Sequence, residues 1–178
     1  MHTEKMIKSE MKYDGYVIKV FFDTVEVEDG STATRDVVRH KGAACVAPVT
    51  DDGELVFVRQ FRYAINKELL ELPAGKLDSV DEDPYLCAVR ELKEETGYTA
   101  DEIKFMGEFI STAGFCDENI RLYMARGLHE GDAHLDEGEF LDVLKIPIAK
   151  AKEMVMNCDI IDGKTQALVL KVCAEMGI

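Results

Sequence analysis

The stretch DPYLCAVRELKEETG, Asp83 to Gly97, constrains this chain more than any other. Aspartate can accept the free N–H groups at a helix start, proline suits the first turn, and glycine ends a helix in the left-handed conformation. The segment is therefore expected to be a helix opened by Asp83-Pro84 and closed by Gly97. At about 100° per residue, Tyr85, Ala88, Val89, Leu92 and Thr96 gather on one stripe, expected to face the core. Glu91, Glu94 and Glu95 fall together on a neighbouring arc roughly 100° wide.

That helix sits between segments patterned as strands. Tyr16 to Val27 is rich in β-branched and aromatic residues and ends at the turn EDGS; Thr32 to Arg39 resumes. Ala43 to Val49 is an apolar run suited to a buried strand, and TDDGE then turns the chain into Leu55 to Phe61. Leu69 to Leu72 is cut off by Pro73, with Gly75 two residues later. Beyond the helix, Ile103 to Ile110, Ile120 to Ala125 and Phe140 to Ile146 read as strands, and Ile148 to Met156 and Thr165 to Met176 as helices. At 178 residues this is one domain of mixed α+β class.

Three glutamates on one arc need an explanation, and a solvated acidic face is the plain one. Three features count against it. Glu91 and Glu95 are four residues apart and repel each other. Both lie towards the helix C-terminus, where the macrodipole disfavours anions. Lys93 points to the opposite side, while Arg90 reaches Glu94 but is expected to serve Glu91 and Glu95 poorly. A hard divalent cation resolves the conflict, because Mg²⁺ prefers carboxylate oxygens and fills its other positions with water or phosphate. A calcium loop is a poor rival, since DSVDEDP has no glycine for the sharp turn.

The remaining composition excludes several classes. A net charge of -14 argues against a nonspecific grip on nucleic acid or an anionic membrane. Five scattered cysteines without a CxxC pair read as a reduced, cytoplasmic chain. No run approaches the roughly 20 apolar residues of a membrane span, and MHTEKMIKSE lacks an apolar signal region. The four histidines show no ligand spacing.

PAGKLDSVDEDPYLCAVRELKEETGY resembles the signature of the Nudix hydrolases, in which Gly, five residues, Glu and seven residues precede Arg-Glu-apolar-x-Glu-Glu-x-Gly-apolar. Arg90, Glu91, Leu92, Glu94, Glu95, Gly97 and Tyr98 fill the second half, and Glu82 stands at the required distance before Arg90. Six residues rather than five separate Gly75 from Glu82, an insertion expected to leave the helix intact. ELPAGKLD, RQFRYA, TATRDVV and DEGEFLDV together resemble the ADP-ribose pyrophosphatase branch, from about Tyr16 to Leu168. One departure is Thr112-Ala113-Gly114, where that branch usually carries Ser-Pro-Gly.

The resemblance implies a Nudix fold, a mixed β-sheet sandwiched between helices, over residues 41–178, with an antiparallel β extension at 1–40 for dimerisation and substrate binding. It implies hydrolysis of ADP-ribose to AMP and ribose 5-phosphate with Mg²⁺ or Mn²⁺. The alternatives are another nucleoside diphosphate derivative, such as a sugar nucleotide or dinucleotide, and a sensor that binds without cleaving. Glu91 and Glu95 match the metal-ligand positions, with the carbonyl of Ala74 as a third ligand. Glu94 either serves a second metal or is held by Arg90, whose expected role is to orient the glutamates. Glu139 matches the general base, with Glu137 as the alternative. Arg35, Arg62 and Glu71 match substrate contacts. The resembling enzymes are homodimers whose N-terminal strands help form the partner's substrate site, and exposed strand edges suit such pairing.

Overall fold

Ala43–Pro48 is buried along its whole length, which demands apolar cover on both faces. The computed structural model, which describes residues 2–178 apart from 136 and 137, shows how that cover is supplied. Among the described residues, β1 (Lys5–Asp14), β2 (Lys19–Glu26) and β3 (Thr32–Arg39) come first. Then follow β4 (Ala43–Pro48), β5 (Glu54–Arg62), a 3₁₀ turn (Tyr63–Ile65), β6 (Lys67–Glu71) and β7 (Ala74–Lys76). The chain continues through α1 (Pro84–Thr96), β8 (Thr99–Ile110), β9 (Asn119–His129), β10 (Leu141–Pro147), α2 (Ile148–Met156) and α3 (Gly163–Met176).

β4 is flanked by antiparallel β7 and parallel β9, and β8 completes a mixed sheet ordered β7-β4-β9-β8. The parallel pairing needs a crossover, and α1 lies within it. Side chains alternate along these strands. Cys45, Ala47, Leu122 and Met124 join Leu55 and Phe57 under Ile148 and Ala151 of α2 and Leu168 and Val172 of α3. Ala44, Val46, Tyr123 and Val56 turn the other way, onto Cys87, Ala88 and Leu92 of α1. The sheet is thus covered on both sides, in the α+β arrangement expected. Leu92, Leu122 and Leu168 are essentially inaccessible, each worth roughly 1.5–3 kcal/mol relative to exposure. A second sheet, β10-β5-β6, is antiparallel throughout.

β1, β2 and β3 form a separate antiparallel meander. It is tied to the rest where the Val38 N–H donates to the Phe115 carbonyl at 2.7 Å and the His40 N–H to Asp117 Oδ1 at 2.7 Å. β1 lies within the β extension expected over residues 1–40, but its own residues did not mark it out as a strand. KMIKSEMKYD is half charged and almost wholly exposed, so its strand form comes from pairing with β2 rather than from burial.

α1 has the expected bounds. Asp83 Oδ1 accepts the Tyr85 N–H at 2.9 Å, and Gly97 closes the helix at φ 77. Its rotation differs from the expected stripe. Cys87 and Glu95 are buried with Ala88, Leu92 and Thr96, whereas Tyr85 and Val89 are 43% and 37% exposed. The cause is β7, a three-residue strand also missed in the sequence, which offers the helix polar backbone groups. α3 starts at Gly163, slightly before the expected Thr165, because Asp162 accepts the Thr165 N–H at 3.0 Å and caps the helix there. No helix among the described residues is long and apolar enough to cross a membrane.

Candidate active site

The C-terminal half of α1 lies along β7, and this contact places the carboxylates. A Cβ built on Gly75 would stand 1.9 Å from Glu91 Oε1, so the Glu91 carboxylate rests directly on the glycine backbone. Glu95 is 2% exposed and accepts the Ala74 N–H at 3.1 Å. Burial raises both groups, Glu91 to about 7 and Glu95 to about 8. Repulsion between them adds to the rise in Glu95, while the nearby Arg90 charge opposes the rise in Glu91.

Arg90 reaches further than the helical wheel suggested. Its Nη1 donates to Glu91 at 2.7 Å and to Glu94 at 3.1 Å, and its Nη2 to the Lys76 carbonyl at 3.2 Å. Adjacent helix positions do not normally face each other. Here Glu91 and the long arginine stem both extend to β7 and meet there, so the expectation that Arg90 serves Glu91 poorly is corrected. Glu82 accepts the Asp78 N–H and lies 3.6 Å from Arg90 Nη2. It therefore braces the six-residue loop, and the insertion leaves α1 intact.

A second ionic group adjoins the first. Arg62 at the end of β5 donates Nε and Nη2 to the two oxygens of Glu71, both at 2.7 Å, in a bidentate fork. Glu71 is 1% exposed; burial pushes its carboxyl up, but Arg62 and Lys164 outweigh that and hold it below its ordinary value. The Arg62 charge also acts on Glu95, opposing its rise. Lys164, which sequence reasoning missed, donates to Glu71 Oε2 and, at 2.9 Å, to Asp162. The clue was available: a lysine in the first turn of a helix opposes the macrodipole and needs a local anion.

Glu139 follows β9 in a loop docked on the end of α1. The His134 N–H donates to the Glu94 carbonyl at 2.9 Å, and a Cβ on Gly97 would come within 2.3 Å of the Gly131 carbonyl oxygen. Glu139 lies near enough to raise both Glu91 and Glu95. Its alternative, Glu137, lies outside the described residues. Arg35 is not brought to this cluster. It stands on β3, where it pairs with Glu4 and donates to the Thr34 carbonyl at 2.8 Å. Thr112-Ala113-Gly114 is an exposed turn beside the attachment point of the N-terminal sheet.

The same helix, its glycine seat and the strand before it fall within residues 38–159, which match the NUDIX domain model. The chain belongs to the Nudix family. A methanol dehydrogenase activator of Bacillus methanolicus is 42% identical, over 93% of this chain and 90% of that protein. An ADP-ribose pyrophosphatase of Bacillus subtilis is 38% identical, over 91% of this chain and 88% of that one. The crystal structure of an ADP compounds hydrolase superposes with a TM-score of 0.85, covering 98% of this chain and 95% of that one at 19% identity, which establishes a shared fold.

Nudix hydrolases generally use divalent metal ions, and the residues here suit one. Glu91, Glu94, Glu95 and the Ala74 carbonyl offer only oxygen donors, the set a hard cation prefers. The glycine seat keeps the Glu91 carboxylate against β7, beside the Ala74 backbone. Among the described residues, no three His, Cys, Asp or Glu side chains close around a point as a finished metal cage. The reason is visible in the hydrogen bonds. Arg90 holds Glu91 and Glu94, and the Ala74 N–H holds Glu95, so a cation would compete with those partners.

Proposed function

We propose that this Nudix protein hydrolyses the pyrophosphate bond of ADP-ribose, releasing AMP and ribose 5-phosphate, with Mg²⁺ as its cation and Mn²⁺ as a substitute. One observation carries the reading: two carboxylates, the partly buried Glu91 on Gly75 and the buried Glu95 on the Ala74 N–H, stand beside the Arg62–Glu71 fork. The first pair suits a cation and the second an anionic substrate. The relative named ADP-ribose pyrophosphatase supports the choice of substrate.

Glu91, Glu95 and the Ala74 carbonyl would hold the cation, with Glu94 available to a second. A cation held there would supply positive charge to offset the negative charge of the diphosphate and favour attack by water. Glu139 takes a proton from the attacking water as its oxygen bonds to phosphorus. The bridging P–O bond then breaks, and its electron pair leaves with the departing phosphate monoester. Arg90 orients Glu91 and Glu94, and Arg62 binds substrate oxygens with Glu71 behind it.

Arg35 is assigned to the site of a second copy in a two-fold dimer. In this arrangement residues 1–40 are the dimerisation and substrate-binding segment, and residues 41–178 the hydrolase domain. The exposed Met6, Met11 and Tyr13 of β1 support that pairing. The five free cysteines and the acid-rich surface accord with a reduced cytoplasmic setting.

A second reading, a Nudix hydrolase of a sugar nucleotide, is favoured by Thr112-Ala113-Gly114 in place of Ser-Pro-Gly. A panel of ADP-ribose, sugar nucleotides and dinucleotides with Mg²⁺, resolved by product chromatography, decides between them. AMP from ADP-ribose is the expected product. Absence of AMP, with brisk turnover of a sugar nucleotide, replaces the first reading with the second.

A further inference from the structure

We propose that Lys164 is a positioning residue for substrate recognition: it gives buried Glu71 a second cation, so that Arg62, which also pairs with Glu71, can be shared with the anionic substrate. The inference rests on the ADP-ribose reading above. It adds a residue from α3, which lies beyond the 38–159 match to the NUDIX domain.

The geometry is unusual for a lysine. Lys164 is the second residue of α3, where the macrodipole disfavours a cation, and its side chain is only 12% exposed. A buried ammonium is tolerated only with close anions, and Lys164 has two, Glu71 and Asp162. Neither helix capping nor core packing needs this charge. Asp162 caps α3 through the Thr165 N–H, and the apolar side of the helix is formed by Leu168, Val169 and Val172.

What Lys164 supplies is a second cation for Glu71. The Arg62 fork uses its Nε and Nη2 edge on Glu71, which leaves Nη1 outside that pairing, on a side chain 41% exposed. A phosphate or ribose oxygen that engages Arg62 competes with Glu71 for it. With Lys164 in place, the shared guanidinium leaves behind a carboxylate that is still paired. Without Lys164, the same shift strands a buried negative charge, and substrate binding must bear that cost. α3 also grips the next residue, because Thr165 Oγ1 accepts the Leu72 N–H at 3.0 Å. The end of β6 is thus anchored at two successive residues, just before Ala74 meets Glu95.

The test measures kcat and KM for ADP-ribose at saturating Mg²⁺ with the full chain, in Lys164→Met, Lys164→Gln and Lys164→Arg. Lys164→Met is expected to raise KM on the order of tenfold or more, while kcat changes by less than about threefold. Lys164→Arg restores most of the loss. In an Arg62→Ala background, Lys164→Met adds less than about twofold, because the two residues act as one unit. Should Lys164→Met fail to fold, Lys164→Gln carries the same expectation, since it keeps a donor but no charge. A structural role alone would reduce thermal stability and the active fraction, lowering kcat at constant KM. Wild-type KM in the folded neutral variants, or additive effects with Arg62→Ala, overturns the inference while the function stands. A wild type inert on ADP-ribose overturns the function reading, and the Lys164 inference with it.

Discussion

Gly75→Ala is expected to remove most activity while leaving the fold standing. The new methyl group would lie 1.9 Å from Glu91 Oε1, where ordinary contact begins near 3.4 Å, so the carboxylate must retreat by about 1.5 Å, the difference between the two. The obstruction is the end of a flexible side chain, and the glycine is not among those with positive φ, so no backbone strain opposes alanine. Alanine also stiffens the unfolded chain, a gain of about 0.4–1 kcal/mol that offsets the rearrangement. Net stability should therefore change by no more than about 1 kcal/mol. Activity has no such relief, since a misplacement of about 1 Å in a catalytic constellation can cost roughly 10²-fold. Urea denaturation would report the first quantity, and ADP-ribose hydrolysis across a Mg²⁺ series the second. The expected result is a near-native midpoint, kcat/KM down on the order of 10²-fold, and a higher Mg²⁺ requirement. Wild-type kcat/KM with an unchanged Mg²⁺ requirement would show that the seat of Glu91 on Gly75 is not the working geometry. An unfolded variant would refute the packing argument instead.

The raised carboxyls of Glu91 and Glu95 favour protonation in the folded state, so their contribution to stability is full below about pH 4.5 and is lost as pH rises through about 7 and 8. Metal-free protein should thus lose on the order of a few kcal/mol over that window in denaturation curves. Glu95→Gln should flatten the loss, and saturating Mg²⁺ at pH 8 should restore stability; a pH-independent midpoint would contradict both. Glu139→Gln should lower turnover on the order of 10²–10⁴-fold while Mg²⁺ binding by calorimetry stays near wild type. Full activity in that variant would remove Glu139 as the base and make Glu137 the next to test. Light scattering should give about twice the 19.9 kDa chain mass, and a monomer at micromolar concentration would contradict the assignment of Arg35 to a partner's site.

Local signals were legible in the sequence because they need only local partners. Asp83, Pro84 and Gly97 bound α1 through contacts within a turn of their own positions, and the structure keeps those bounds. The continuous apolar runs of β4 and β5 marked strands where burial came from both faces, and β3 and α2 begin and end where the pattern said. The unfavourable spacing of Glu91 and Glu95 was likewise visible, and with it the need for a compensating positive charge. β1 escaped because its residues are not buried: pairing with β2 makes it a strand, and pairing leaves little trace in one segment's composition.

Tertiary structure decided the rest. Periodicity defines a helical face but not which way it turns, and β7 turned α1 so that Glu95 went inward while Tyr85 and Val89 went out. Arg90 found Glu91 because both extend to the same strand edge, a meeting that no wheel contains. Lys164 stands 93 residues from Glu71 along the chain, so a buried pair between them exists only once α3 is docked. Capping and apolar patterning are short-range and leave their marks in neighbouring residues. The pairing of buried charges is set by whichever distant groups the packed core forces together, and only the folded chain contains that information.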